Sequence, residues 1–240
     1  VGGSYLGSIE LLDTKSKQST KIMIEPNLYL GLAARDMKYL FNWNAPIIKS
    51  IHETNTYYHG AQFLLRTRDE GVSWDIVSPD LTRNQDHKQG KGGGPYTVEA
   101  VGAENYGTLS YVIESNHEAG VIYTGSDDGF VHITKNNGES WQNITPKGLK
   151  ETLINAIEIS PHNPATVYIA ATRYKFNDHT PSIYKSTNYG KTWKNISDGI
   201  LVHKRIDVFI NGALGFRLDE NLTKPPEDKF IVTDSNDYND

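Results

Sequence analysis

One eight-residue pattern constrains the fold of this chain more than any other feature. It reads Ser/Thr-x-Asp/Asn-x-Gly-x-Ser/Thr-Trp and occurs three times, as TRDEGVSW (67–74), TKNNGESW (134–141) and STNYGKTW (186–193). Three of the four tryptophans close a copy. Each position suits a turn between two strands. The Asx residue (Asp69, Asn136, Asn188) can accept hydrogen bonds from backbone N–H groups one and two residues on. The glycine (Gly71, Gly138, Gly190) supplies the positive φ that a tight hairpin demands. The tryptophan (Trp74, Trp141, Trp193) opens the next strand with a large apolar face. Asparagine keeps the carbonyl acceptor, so the two Asn copies should form the same turn as the Asp copy.

A second periodicity sets the register. Ser50-x-His52-x5-Tyr58-x-Gly60 aligns with Ser115-x-His117-x5-Tyr123-x-Gly125 and with Ser160-x-His162-x5-Tyr168-x-Ala170. Each unit reaches its eight-residue turn 17, 19 and 26 residues after the serine. The unit is therefore a four-stranded module, placed over 45–78, 108–145 and 153–197, within a body spanning 41–198. Residues 7–25 read as the last two strands of an earlier unit with their turn at Asp13, and 1–40 as that remnant plus a connector. Helix is expected only over 28–39, and briefly. The stretch 199–240 reads as a partial strand at 206–210 followed by an acidic tail or linker, with seven acids against Lys224 and Lys229 over 219–240.

The eight-residue pattern resembles the Asp-box, or bacterial neuraminidase, repeat. With FNWNAPII (41–48), SWDIVSPDLTRN (73–84), GAENYGT (102–108) and GSDDG (125–129), the chain is similar to the secreted bacterial propellers described as sortilin N-terminal-like or glycosyl-hydrolase-like. The resemblance implies an all-β fold, a β-propeller of four-stranded antiparallel blades. Blades of roughly 40–50 residues in rings of about 4–8 leave three to four blades here, an incomplete ring. A longer protein, or a second copy, is expected to supply the rest.

Composition narrows the function classes. The net charge of −5 gives no footing for nucleic acid. No apolar run is long enough for a membrane span. With no cysteine, disulfides and thiolate metal sites are excluded. No cofactor or metal is expected: the Asp-rich loops lack EF-hand spacing, and KQGKGGG (88–94) lacks the phosphate-loop pattern. His52, His117 and His162 recur at one position on successive units and so cannot converge on one ion; a turn hydrogen bond is their expected role. The NxS/T sites at Asn143 and Asn195 follow from the repeat. The resemblance implies a location outside the cytoplasm: secreted, periplasmic or at the cell surface.

In a four-stranded meander the turns after strands one and three share one rim, and the turn after strand two shares the other with the crossover. The longest insertions, 79–107 and 172–181, fall on this second rim, and long loops gathered on one side of a rigid scaffold are where binding concentrates. Asn42, Trp43, Asn44, Asn105, Tyr106, Arg173, Tyr174 and Asp178 are the expected ligand-binding residues. Two functions are carried, the first as the main reading and the second as the alternative. One is a binding or scaffold propeller holding a peptide, a protein partner or a glycan. The other is a glycoside hydrolase using Glu104 with Asp127 or Asp128, whose carboxyls would need to lie about 5–5.5 Å apart for retention or about 6.5–9.5 Å for inversion. The sialidase route lacks its arginine cluster and its Phe/Tyr-Arg-Ile-Pro motif.

Overall fold

The computed structural model describes residues 1–25, 29–90, 102 and 104–200, and the strands at 205–210, 213–219 and 230–232. The chain is all-β, built from antiparallel sheets in the manner of propeller blades. The first sheet has three strands, β1 (Gly2–Gly3), β2 (Ile9–Leu12) and β3 (Ser19–Lys21), in the order β1-β2-β3. Three four-stranded meanders follow: β4 (Ile47–Lys49) to β7 (Asp75–Ile76) through β5 (Tyr57–Gly60) and β6 (Leu64–Thr67); β8 (Leu109–Glu114), β9 (Ile122–Ser126), β10 (Val131–Thr134) and β11 (Gln142–Asn143); and β12 (Leu153–Ile159), β13 (Val167–Arg173), β14 (Asp178–Ser186) and β15 (Lys194–Asn195). A last sheet pairs β16 (Arg205–Ile210), β17 (Ala213–Asp219) and β18 (Phe230–Val232).

The sheets stack face to face, as their apolar residues require. Tyr58, Leu64, Leu109, Val112 and Ile122 pack between the second and third sheets, with Val77 and Trp141 against them. Ile133, Ile144, Ile154, Ile157 and Ile169 pack between the third and fourth, with Trp193. The first strands gather at the centre, where β8 touches both β4 and β12.

The three eight-residue turns have one geometry, and it differs in detail from the sequence expectation. The Asx side chain closes the turn from four residues on: Ser73 N–H donates to Asp69 Oδ1 (2.8 Å), Ser140 N–H to Asn136 Oδ1 (3.0 Å) and Thr192 N–H to Asn188 Oδ1 (2.9 Å). The opening hydroxyl accepts from the glycine N–H, at 2.8 Å for Thr67 and 2.9 Å for Ser186. Both central residues are left-handed: Glu70, Asn137 and Tyr189 have φ of 59°, 59° and 58°, and the glycines after them 90°, 95° and 80°. Two successive positive φ values define the primed turn whose twist matches a hairpin.

No α-helix forms over 29–39. The described part of that stretch holds only a 3₁₀ turn at Ala34–Asp36. Its backbone is satisfied by other segments, Arg35 N–H bonding to Gln89 O and Leu40 N–H to Gln62 Oε1. The histidines likewise depart from the expected turn bond. His52 Nε2 lies 2.6 Å from Ser115 O and His117 Nε2 lies 2.9 Å from Ser160 O, so each ring ties its blade to the next.

Candidate functional site

Loop contacts separate the two rims as the meander requires. On one rim, Glu53 of the first His turn accepts from Arg68 and from Asn137, both in eight-residue turns. On the other, loops from three blades converge. Arg83 N–H donates to Asp128 Oδ2 (2.7 Å), and Lys88 and Tyr106 both bond to Glu151.

A cleft of about 660 Å³ opens on this second rim. It is lined by Asn42, Trp43, Asn44, Glu104, Thr108, Ser110, Asp127, Asn155, Tyr174 and Lys175. Two register shifts in the innermost strands contribute to it, one between Leu109 and Tyr111 and one between Ile154 and Ala156. Each extra residue, Ser110 and Asn155, is a cleft-lining residue. Bulges commonly re-aim side chains beside sites in this way.

Asp127 is the central carboxylate. It follows β9, and its Oδ1 accepts from Gly107 N–H (3.0 Å) and Thr108 N–H (2.9 Å). Among the described residues, its Oδ2 receives only Asn42 Nδ2, at 3.3 Å. Burial pushes the carboxyl up to about 6; the Thr108 backbone and Lys175 oppose that shift, and Asp128 adds to it. The second oxygen can therefore carry a proton near neutral pH. Glu104 stands at the rim, its Oε1 accepting from Trp43 Nε1 at 2.8 Å. Trp43 is 55% exposed and Tyr174 54%. The Tyr5 ring backs Trp43 edge-on at 4.6 Å, which holds the indole in place.

Other expected residues lie close by but are occupied by the chain itself. Asp128 is buried, with Oδ1 bound by the Ser126 hydroxyl (2.6 Å) and Oδ2 by Arg83 N–H; burial raises its pKa. Asn105 Nδ2 donates to Phe41 O and Gly102 O, both at 3.0 Å. Arg173 pairs with Asp178 at 2.9 Å and also reaches Glu151 O. Tyr106 is held by Glu151; burial first, then that bond, raise its pKa. Of 88–94, residues 91–94 lie outside the described residues. Sequence reasoning missed Thr108, Ser110, Glu151, Asn155 and Lys175. The bulges that aim Ser110 and Asn155 leave no mark in the sequence.

No family model matches the chain. Among curated proteins it is similar to a probable oligoxyloglucan-reducing end-specific xyloglucanase of Neosartorya fischeri, 28% identical over 170 residues, covering 61% of this chain and 20% of that protein. The chain thus spans about a fifth of the length of this relative. Among solved structures it is similar to a GH74 enzyme of Niastella koreensis (13% identity, TM-score 0.47, covering 88% of this chain and 29% of the other). It is also similar to YCF48 from Cyanidioschyzon merolae (16% identity, TM-score 0.38, covering 71% and 38%).

Proposed function

We propose that the cleft is a glycoside hydrolase site acting on a β-linked polysaccharide, on a propeller whose eight-residue turns are Asp boxes. The observation that carries this reading is Asp127, a buried carboxyl with one oxygen fixed by two backbone amides and the other held only by a long bond from Asn42, lining a cleft that also carries the exposed rings of Trp43 and Tyr174. The sequence likeness to a probable xyloglucanase supports it. Trp43 and Tyr174 stack on sugar rings, and the exposed Asn155 side-chain amide donates to a hydroxyl. Asp127 gives its Oδ2 proton to the glycosidic oxygen as the bond to the anomeric carbon breaks. Glu104 takes a proton from the water that attacks that carbon. Such a substrate places the protein outside the cytoplasm.

The test is Asp127→Asn and Glu104→Gln in the full-length polypeptide, assayed for turnover and for polysaccharide affinity. The reading expects turnover to fall by orders of magnitude while affinity and folding persist. Unchanged turnover in both variants sinks it. A second reading, a binding propeller that holds a peptide, protein or glycan without cleaving it, rests on a different observation. Asp128, Asn105, Arg173 and Asp178 spend their polar groups on the chain, which suits a rigid receptor. It expects affinity without turnover, lost when Trp43 is replaced by Ala.

A further inference from the structure

Neighbouring blades meet by one rule, used three times. The indole N–H of each turn tryptophan donates to a carbonyl at the end of the preceding blade: Trp74 to Ile22 (2.7 Å), Trp141 to Val77 (2.8 Å) and Trp193 to Ile144 (2.6 Å). The turn glycine sits on the same residue. A Cβ at Gly71 would meet Ile22 Cβ at 2.4 Å, one at Gly138 would meet Val77 O at 2.5 Å, and one at Gly190 would meet Ile144 Cδ1 at 2.4 Å. The repeat tyrosine is sealed inside the junction. Tyr58 and Tyr123 are both fully buried, and Tyr58 OH donates to Asn137 Oδ1 of the next turn (3.1 Å). The histidines add the bonds from His52 to Ser115 O and from His117 to Ser160 O.

The residue three places after each turn tryptophan supplies the acceptor: Val77, Ile144 and, on the last four-stranded sheet, Ile196. The equivalents of Tyr58 and His52 there are Tyr168 and His162. Tyr168 is only partly buried, with Lys185 Nζ 5.4 Å from its ring centre. Tyr168, Lys185 and Ile196 line an open hollow of about 590 Å³ together with Thr187 and Thr192. Among the described residues nothing donates to Ile196 O and nothing meets the His162 ring.

We propose that this face of the fourth sheet is a docking surface for a further blade carrying its own Ser/Thr-x-Asx-x-Gly-x-Ser/Thr-Trp turn. The incoming indole donates to Ile196 O, its glycine seats on the Ile196 side chain, and a serine carbonyl meets His162. The occupant comes from polypeptide outside these 240 residues. All three turn tryptophans are already engaged with their own neighbours, so a second copy has none to offer. Trp43 is committed to Glu104 on the opposite rim, and residues 201–240 contain no tryptophan.

The test compares hydroxyl-radical footprinting of the protein isolated from its source with that of the 240-residue chain. A photo-crosslinking residue at Lys185, in the source context, identifies what lies opposite. Tyr168 and Ile196 are expected to be several-fold less reactive in the source protein, approaching Tyr123 and Ile144. The crosslinked segment should contain an Asx-x-Gly-x-Ser/Thr-Trp turn, and Ile196→Lys should restore reactivity at Tyr168. Equal reactivity in the two samples, or a crosslinked segment that lacks such a turn or comes from another copy of residues 1–240, overturns the proposal.

Discussion

Two aspartates on opposite rims show how the same scaffold sets the same group in opposite ways. Asp69 closes the first eight-residue turn. The Ser73 hydroxyl, the Ser73 N–H and the Thr67 hydroxyl all donate to it, and they pull its carboxyl down to about 2. Asp127 also sits in a hairpin turn, yet burial outweighs its two backbone donors and lifts it to about 6. Hydrogen bonds to the charged form win where water still reaches the group, and desolvation wins where it does not. One rim uses its polar groups on its own turns. The other keeps a protonatable oxygen facing a cleft.

The largest expected contrast is catalytic. Asp127→Asn should lower turnover of a β-linked polysaccharide by about 10²–10⁴-fold, the range for a lost general acid, whereas Asp69→Asn should leave it unchanged. Equal effects in steady-state kinetics on the full-length polypeptide would break the contrast.

Next comes packing. Trp141→Ala removes a partly buried ring packed between two sheets and its bond to Val77 O. It should lower stability in denaturant unfolding by less than the ~3–5 kcal/mol of a fully buried Trp. Trp43→Ala, at an exposed ring, should leave stability nearly unchanged and weaken polysaccharide binding. A Trp141 variant as stable as the parent would contradict the junction rule.

The pH dependence is smaller and has a defined sign. Burial pulls buried His59 and partly buried His132 down to about 4 from the ordinary 6.5. Their protonation therefore favours the unfolded chain, and stability present above pH 6.5 is lost as pH falls toward 4. Asp127 runs the other way: its cost to folding is complete above about pH 6 and is relieved as pH falls toward 3.8. Fully buried His59 alone should cost on the order of 2–3 kcal/mol between pH 6.5 and 4, with His132 adding to that loss and the raised carboxyls of Asp127 and Asp128 offsetting part of it. Asp127→Asn should steepen that loss, as read from denaturant midpoints at pH 7 and pH 4.5. The smallest effect belongs to the turns. Asp69→Asn should leave the midpoint where it is, as Asn136 and Asn188 already occupy the equivalent place, and Asp69→Ala should lower it.

The blades were legible in the sequence because their grammar is local. Ser-x-His-x5-Tyr and the Asx-Gly-Trp turn lie within short spans, and strand alternation assigns the loops to two rims. Trp43, Glu104 and Asp127 could be placed at the cleft for the same reason. The rest depends on contacts between blades. Arg83 reaches Asp128 across 45 residues, and Lys88 reaches Glu151 across 63. No spacing rule predicts either contact. The histidines show the same limit, since their acceptors lie 63 and 43 residues away on the next blade. The brief helix expected over 28–39 is replaced by an irregular segment whose backbone bonds go to distant loops, and Met37, Leu40 and Phe41 are buried by its packing.

The difference between the rims can be read directly by ¹³C-carboxyl NMR titration of the aspartates, assigned with Asp69→Asn and Asp127→Asn. The account predicts a titration near pH 6 for Asp127 and near pH 2 for Asp69. Two carboxyls that both titrate near the ordinary value of 3.8 would contradict it, and would remove the proton donor on which the proposed chemistry depends.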